Sequence, residues 1–123
     1  MDKEIMKGSI DILLLSIVNT RDMYGYEMVK TLKENSNELY NMSEGTLYPA
    51  LKRLENKNWL QSYWNNPEAG ARRKYYRITD DGKKELERKL QEWKKVNNLI
   101  KVCSEGMAWI KTLKPMLNKL LVN

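Results

Sequence analysis

Between Ile5 and Asn19 apolar residues fall on nearly every side of the chain: Ile5, Met6, Ile10, Ile12, Leu13, Leu14, Leu15, Ile17 and Val18. Read as one helix, this segment is apolar almost all round. One face of a small domain cannot bury it, so it must run through the centre of the core or be shared with a second subunit. The β-branched residues between Ile10 and Val18 make a buried strand the competing reading, but the upstream periodicity favours a helix. A chain of 123 residues has room for one domain and one appended element.

The rest of the chain alternates helical and extended patterns. Thr20-Arg21-Asp22 reads as a turn. Tyr24–Glu34 reads as a second helix, with Met28, Val29 and Leu32 on one stripe, ended by Asn35-Ser36-Asn37. Ser43 is a good N-cap for a third helix, and Glu44 in its first turn faces the positive end of the dipole. Leu47, Leu51 and Leu54 recur at helical spacing. Pro49 costs most deep inside a helix, so the first turn is expected to be irregular or the regular helix to begin later than Ser43. Trp59–Trp64 and Lys74–Thr79 read as two strands of a hairpin, joined by the turn-rich loop Asn65–Ala71. Thr79 or Asp80 opens a last helix. On it Leu86, Leu90, Trp93, Asn97 and Ile100 step by 4, 3, 4 and 3, a short heptad seam. Gly106 and Pro115 are expected to break it, leaving residues 107–123 as a tail with a helical apolar pattern.

Composition excludes several functions. There is no histidine and one cysteine, Cys103. His-based acid–base chemistry, Ser-His-Asp and Cys-His sites, and Cys/His metal sites are therefore absent. Nothing in the spacing points to an enzyme, a cofactor or a metal. Cys103 reads as an inert, buried thiol, since no second Cys or His activates it. No apolar run is long enough to span a membrane, and Met1-Asp2-Lys3-Glu4 is unlike a signal peptide, so the protein is expected in the cytoplasm. The net charge of +6 is unevenly spread: 8 basic and 9 acidic residues over 1–58, 4 and 1 over 59–79, and 10 and 6 over 80–123. A basic hairpin and terminal helix suit a polyanion such as nucleic acid.

The element order is helix, helix, helix, strand, basic loop, strand, long helix. This predicts a mainly α fold with a small β-hairpin: a winged helix-turn-helix over residues 1–79 followed by a long helix over 80–106 with a heptad seam. In order along it lie Tyr24-Gly25-Tyr26-Glu27, then Gly45-Thr46-Leu47-Tyr48-Pro49-Ala50-Leu51-Lys52-Arg53-Leu54-Glu55. Gly70-Ala71-Arg72-Arg73-Lys74-Tyr75-Tyr76-Arg77-Ile78-Thr79 with Gly82 follows. Each run alone is a weak signal. In this order they closely resemble the PadR family of bacterial transcriptional regulators, over about residues 5–105. The resemblance implies a repressor that dimerises through its first helix and its last long one, making residues 80–106 the dimerisation helix. It also implies binding to double-stranded DNA that a small molecule or other signal relieves.

The DNA-binding residues then follow. Arg72, Arg73 and Lys74 on the wing, with Arg77 alternating among the tyrosines, suit phosphate contact because their charges displace condensed counterions. Ser43, Gly45, Thr46 and Tyr48 open the groove-reading helix, where short hydroxyls and free N–H groups take phosphates. Of Lys52 and Arg53, one faces the groove while the other covers apolar surface. Tyr24 and Gly25 open helix two against the backbone, with Tyr24 as a phosphate donor and Tyr26 packing on the core. A two-fold dimer reads an inverted-repeat operator.

Within the family, the short type with one C-terminal helix fits this length. Glu92–Ile100 looks like the segment that, in the multidrug-sensing LmrR-like branch, sets a tryptophan from each subunit across a central pore. The resemblance implies a planar aromatic effector at Trp93 and Asn97, with Ile12 and Ser16 on the first helix; read from the residues alone, Trp93 is equally a packing residue of the seam and Asn97 a polar residue that sets its register. Asn97 stands where that branch has an acidic residue, and Ala71 replaces a glycine common in the wing motif. The rival reading is a winged-helix module that binds another protein and no DNA, supported by the net negative residues 1–58.

Overall fold

The computed structural model describes residues 1–66 and 70–122, without the side chains of 107–114, 117, 118 and 120–122. The middle of the expected hairpin tip, residues 67–69, and the apolar pattern from Met107 to Val122 lie outside what is described, apart from Met116, which is exposed.

The apolar N-terminal segment is two helices and not one. Asp2 opens α1 (Lys3–Lys7), its Oδ1 accepting the N–H groups of Glu4 and Ile5 at 2.9 and 3.1 Å. The chain then breaks at Gly8-Ser9 and resumes as α2 (Ile10–Thr20). The break falls where helix continuity has least support. Glycine costs the most backbone entropy there, and serine favours a helix start. The centre of α2 runs through the core as expected: Ile10, Leu14, Leu15, Ile17 and Val18 are buried, and Ile12 and Leu13 pack at its margin. Each such leucine contributes about 1.5–3 kcal/mol by leaving water.

A strand follows where a turn and a helix start were expected. β1 (Met23–Tyr24) is two residues long, too short to carry any periodicity. It exists because it pairs with distant residues. Next come α3 (Gly25–Asn35) and α4 (Glu44–Asn56). The Ser43 hydroxyl accepts the Thr46 N–H at 3.2 Å, the expected cap. The irregular first turn expected from Pro49 does not occur, for α4 is regular from Glu44 with Pro49 inside it. Proline leaves the Gly45 carbonyl without its i+4 donor. Both residues are exposed, which puts that carbonyl on the water-facing side of α4. Asn58 takes the left-handed conformation (φ 59°) that turns the chain out of α4. The turn is tied by Trp59 N–H donating to the Leu54 carbonyl at 3.0 Å.

β2 (Leu60–Asn65) and β3 (Arg73–Ile78) form the hairpin, and β1 adds on its far side, giving the antiparallel order β1-β3-β2. Register pairs Tyr63 with Tyr75 and Tyr75 with Tyr24, so these rings share one face. The opposite face carries Met23, Leu60, Tyr76 and Ile78 into the core against Met28, Leu32, Leu47, Leu51 and Leu54. Burial raises the Tyr76 phenol above its ordinary pKa, with lesser contributions from Glu55 and Tyr48.

α5 (Asp80–Val122) is one helix, with no break at Gly106 or Pro115. A glycine costs a helix about 1 kcal/mol and a proline about 3, which many other helical residues offset. Thr79 caps it, its hydroxyl oxygen accepting the Gly82 N–H at 2.9 Å and its O–H donating to the Asn58 carbonyl at 2.6 Å. The chain forms two compact units, Met1–Lys89 and Leu90–Asn123. The first includes the opening turns of α5, where Leu86 is buried and Lys89 lies over the Trp59 ring at 5.3 Å. In the second, Leu90, Trp93, Val96, Leu99 and Ile100 are exposed. Cys103 is exposed too, against the buried thiol expected, because it lies on α5 beyond the turns that pack into the first unit. No helix among the described residues is long and apolar enough to cross a membrane.

Candidate nucleic-acid interface

Each of the four wing cations, Arg72 just before β3 and Arg73, Lys74 and Arg77 on it, rests on an aromatic ring. Arg72 lies over Trp64 at 4.4 Å, Arg73 over Tyr24 at 4.6 Å, Lys74 over Tyr76 at 5.7 Å and Arg77 over Tyr63 at 5.0 Å. The rings hold one another in turn. Tyr24 meets Tyr75 edge-on at 5.4 Å, and Tyr75 stacks on Tyr63 at 5.8 Å. Alternation in β3 and β2 produces this: cations and tyrosines interleave on β3, and aromatic residues on β2 stand opposite. A guanidinium seated on a ring is attracted by its quadrupole and loses less freedom on binding. Sequence reading found the arginines but not the rings beneath them.

The arginines differ in their partners. Arg21 pairs with Glu27 at 2.7 Å, Arg53 with Asp11, Arg77 with Asp22 at 3.6 Å and Arg88 with Glu85 at 2.5 Å. Arg72 and Arg73 have no carboxylate partner among the described residues, and both are exposed. Among the described residues they are thus the two guanidiniums whose charge no carboxylate matches. Asp22 also accepts the Tyr63 hydroxyl at 2.6 Å, a bond that holds this phenol above its ordinary pKa, with burial adding to it.

The helix termini lie in the same unit. Tyr24 precedes α3 and its N–H donates to Glu27 Oε1 at 3.4 Å. Tyr26, expected to pack on the core, is instead 67% exposed and stacked on Tyr24 at 6.4 Å. Gly25 is buried against α4: a Cβ there would sit 2.9 Å from the Tyr48 hydroxyl and 3.3 Å from Leu47 Cδ2. It sets how closely α3 and α4 approach, and Tyr48 remains half exposed. At the start of α4, Ser43 and Gly45 are exposed, and the Ser43 hydroxyl donates to Thr46 Oγ1 at 3.1 Å. Gly45, Pro49, Lys52 and Asn56 recur every three or four residues opposite the buried leucines and are all exposed. Lys52 is therefore the outward cation of this helix. Arg53 lies to one side, tied back to Asp11 of α2. Sequence reading missed both Asp11 and Asp22, because their partners are 42 and 55 positions away.

The effector residues fall on two helices, each in its own unit. Ile12 and Ser16 are half buried one turn apart on α2. Trp93, 49% exposed, and Asn97 are one turn apart on α5.

A small three-stranded sheet on a helix-turn-helix, followed by a long helix, defines the winged-helix DNA-binding regulators. The model of the PadR-like family of transcriptional regulators matches residues 14–88, and the chain belongs to this family. It is therefore a DNA-binding regulator of transcription and not an enzyme. An uncharacterised protein X of Lysinibacillus sphaericus is 35% identical over 104 residues, covering 85% of this chain and 95% of that one. The transcriptional regulator YqjI of Escherichia coli is 27% identical over 101 residues, 82% of this chain but 47% of its own length. Among solved structures, a transcriptional regulator from Clostridium thermocellum superposes with a TM-score of 0.75 at 37% identity, covering 80% of this chain and 95% of that one. A PadR family regulator from Clostridium difficile gives 0.65 at 44% identity, with 75% and 94% covered.

Proposed function

We propose that this regulator is a homodimeric repressor of an inverted-repeat operator, relieved by a planar aromatic effector. In this reading α4 enters the major groove with Ser43, Thr46 and Lys52, while Arg72, Arg73 and Lys74 hold the flanking backbone. The observation that carries it is the pair of exposed guanidiniums, Arg72 and Arg73, without a carboxylate partner among the described residues and seated on rings in the same unit as the N-termini of α3 and α4. The uncovered apolar positions of α5, Leu90 to Ile100, support pairing with a second copy. A mobility-shift titration with the DNA upstream of its own gene tests this. A retarded complex with two chains per duplex is expected. No shift at low salt would favour a winged-helix module that binds another protein.

The effector reading rests on Trp93, half exposed beside Asn97 at seam positions. A ligand there releases DNA only by binding one dimer geometry better than the other. Titration with planar aromatic drugs is expected to quench indole fluorescence. Trp93→Ala should abolish the tight component while leaving the emission of Trp59, Trp64 and Trp109. Retained tight binding in that variant would remove Trp93 from the site.

A further inference from the structure

On the outer face of the sheet, β3 presents Arg73, Tyr75 and Arg77 at alternate positions. The two guanidiniums are about 13 Å apart along the strand, at roughly 3.3 Å per residue. Both lie over tyrosine rings, yet among the described residues only Arg77 is matched by a carboxylate. Asp22 comes from the turn between α2 and β1. Its Oδ2 lies 3.6 Å from Arg77 Nε and accepts the Tyr63 hydroxyl at 2.6 Å. Because the strand order is β1-β3-β2, this one carboxylate reaches from the β1 side across β3 to β2. An ion pair with both partners more than a third exposed adds little to folding. Its effect is on charge: it cancels a guanidinium on the face where Arg73 has no carboxylate partner among the described residues, and it sets a negative group where a phosphate would otherwise approach.

We propose that Asp22 limits the grip of the wing on DNA by withholding Arg77 from the phosphate backbone, so that this face of the sheet engages through Arg73. The inference rests on the DNA-binding reading above. It makes Asp22 a residue that caps affinity and marks where the wing's footprint ends.

Asp22→Asn separates charge from shape, since asparagine keeps an oxygen for the Tyr63 hydroxyl. For this variant, the plot of log affinity against log salt should steepen by about 0.9 per chain, on operator and random duplex alike. At about 0.15 M salt, binding should tighten roughly fivefold per chain. Adding Arg77→Gln to Asp22→Asn should return both to wild-type values, and Arg77→Gln alone should leave the slope unchanged. An unchanged slope in a folded Asp22→Asn, checked by thermal melting, would overturn the inference. So would a flatter slope in Arg77→Gln alone, since Arg77 would then already hold a phosphate. That single variant decides the matter if Asp22→Asn does not fold. A wild-type chain with no salt-dependent binding would overturn the DNA-binding reading and this inference together.

Discussion

Replacing Arg72 and Arg73 with alanine is expected to weaken operator binding about 30-fold per chain at about 0.15 M salt. The estimate counts one phosphate per guanidinium, each worth about 0.9 in the salt slope. The slope should accordingly fall by about 1.8 per chain. The fold should survive, because both side chains are exposed and neither pairs with a carboxylate among the described residues. Their contacts with Trp64 and Tyr24 are single-sided, and a ring–cation contact at the surface contributes about 0.5–1 kcal/mol. Melting temperature should therefore move by a few degrees while affinity collapses. Fluorescence-anisotropy titrations at several salt concentrations measure both quantities. A wild-type slope in the double variant would place the phosphates elsewhere.

Gly82→Ala is expected to have the largest effect on stability of any substitution in the first turns of α5. A Cβ at this position would overlap the Trp59 carbonyl oxygen, and it would come within 2.8 Å of Ile78 Cγ1. The obstacle is backbone and cannot swing aside. That carbonyl is already fixed by the Thr79 N–H at 3.0 Å, and the Trp59 ring is held between Lys57 and Lys89 at 4.8 and 5.3 Å. Overpacking of this kind costs about 3 kcal/mol. For a unit of this size, that lowers the melting temperature by roughly 10–20 °C. Calorimetry or thermal circular dichroism reads it directly. A loss below about 2 °C would mean that α5 is not pinned to the base of β2 at Gly82.

These two expectations differ in how visible they were beforehand. Arg72 and Arg73 stand out in the sequence as a charged run between turn residues and alternating tyrosines. The cap of α4 was equally legible, because Ser43 and Glu44 act on the helix that follows them directly. What stayed hidden depends on residues far apart. β1 is a strand because Met23 and Tyr24 meet Tyr76 and Tyr75, not because of any pattern of their own. Arg53 looked like one of two groove candidates until Asp11, on another helix, took its charge. The rings under the wing cations come from three strands, and only their register brings them together. Pro49 misled for a different reason: its cost depends on whether the freed carbonyl meets water, and exposure is a tertiary property. Gly8 and Gly106 show the same limit. One glycine ends a helix and the other is carried within one, and nothing in the glycine itself distinguishes the two outcomes.

Hydroxyl-radical footprinting of the purified protein on the DNA upstream of its own gene tests the central claim most directly. Two-fold-symmetric protection is predicted, with half-sites about one helical turn, roughly 34–36 Å, apart and flanking backbone cuts suppressed where the wings lie. Those flanking protections should vanish in the Arg72/Arg73 double variant while the central ones weaken together. Uniform cleavage at low salt by a stably folded dimer would contradict the account.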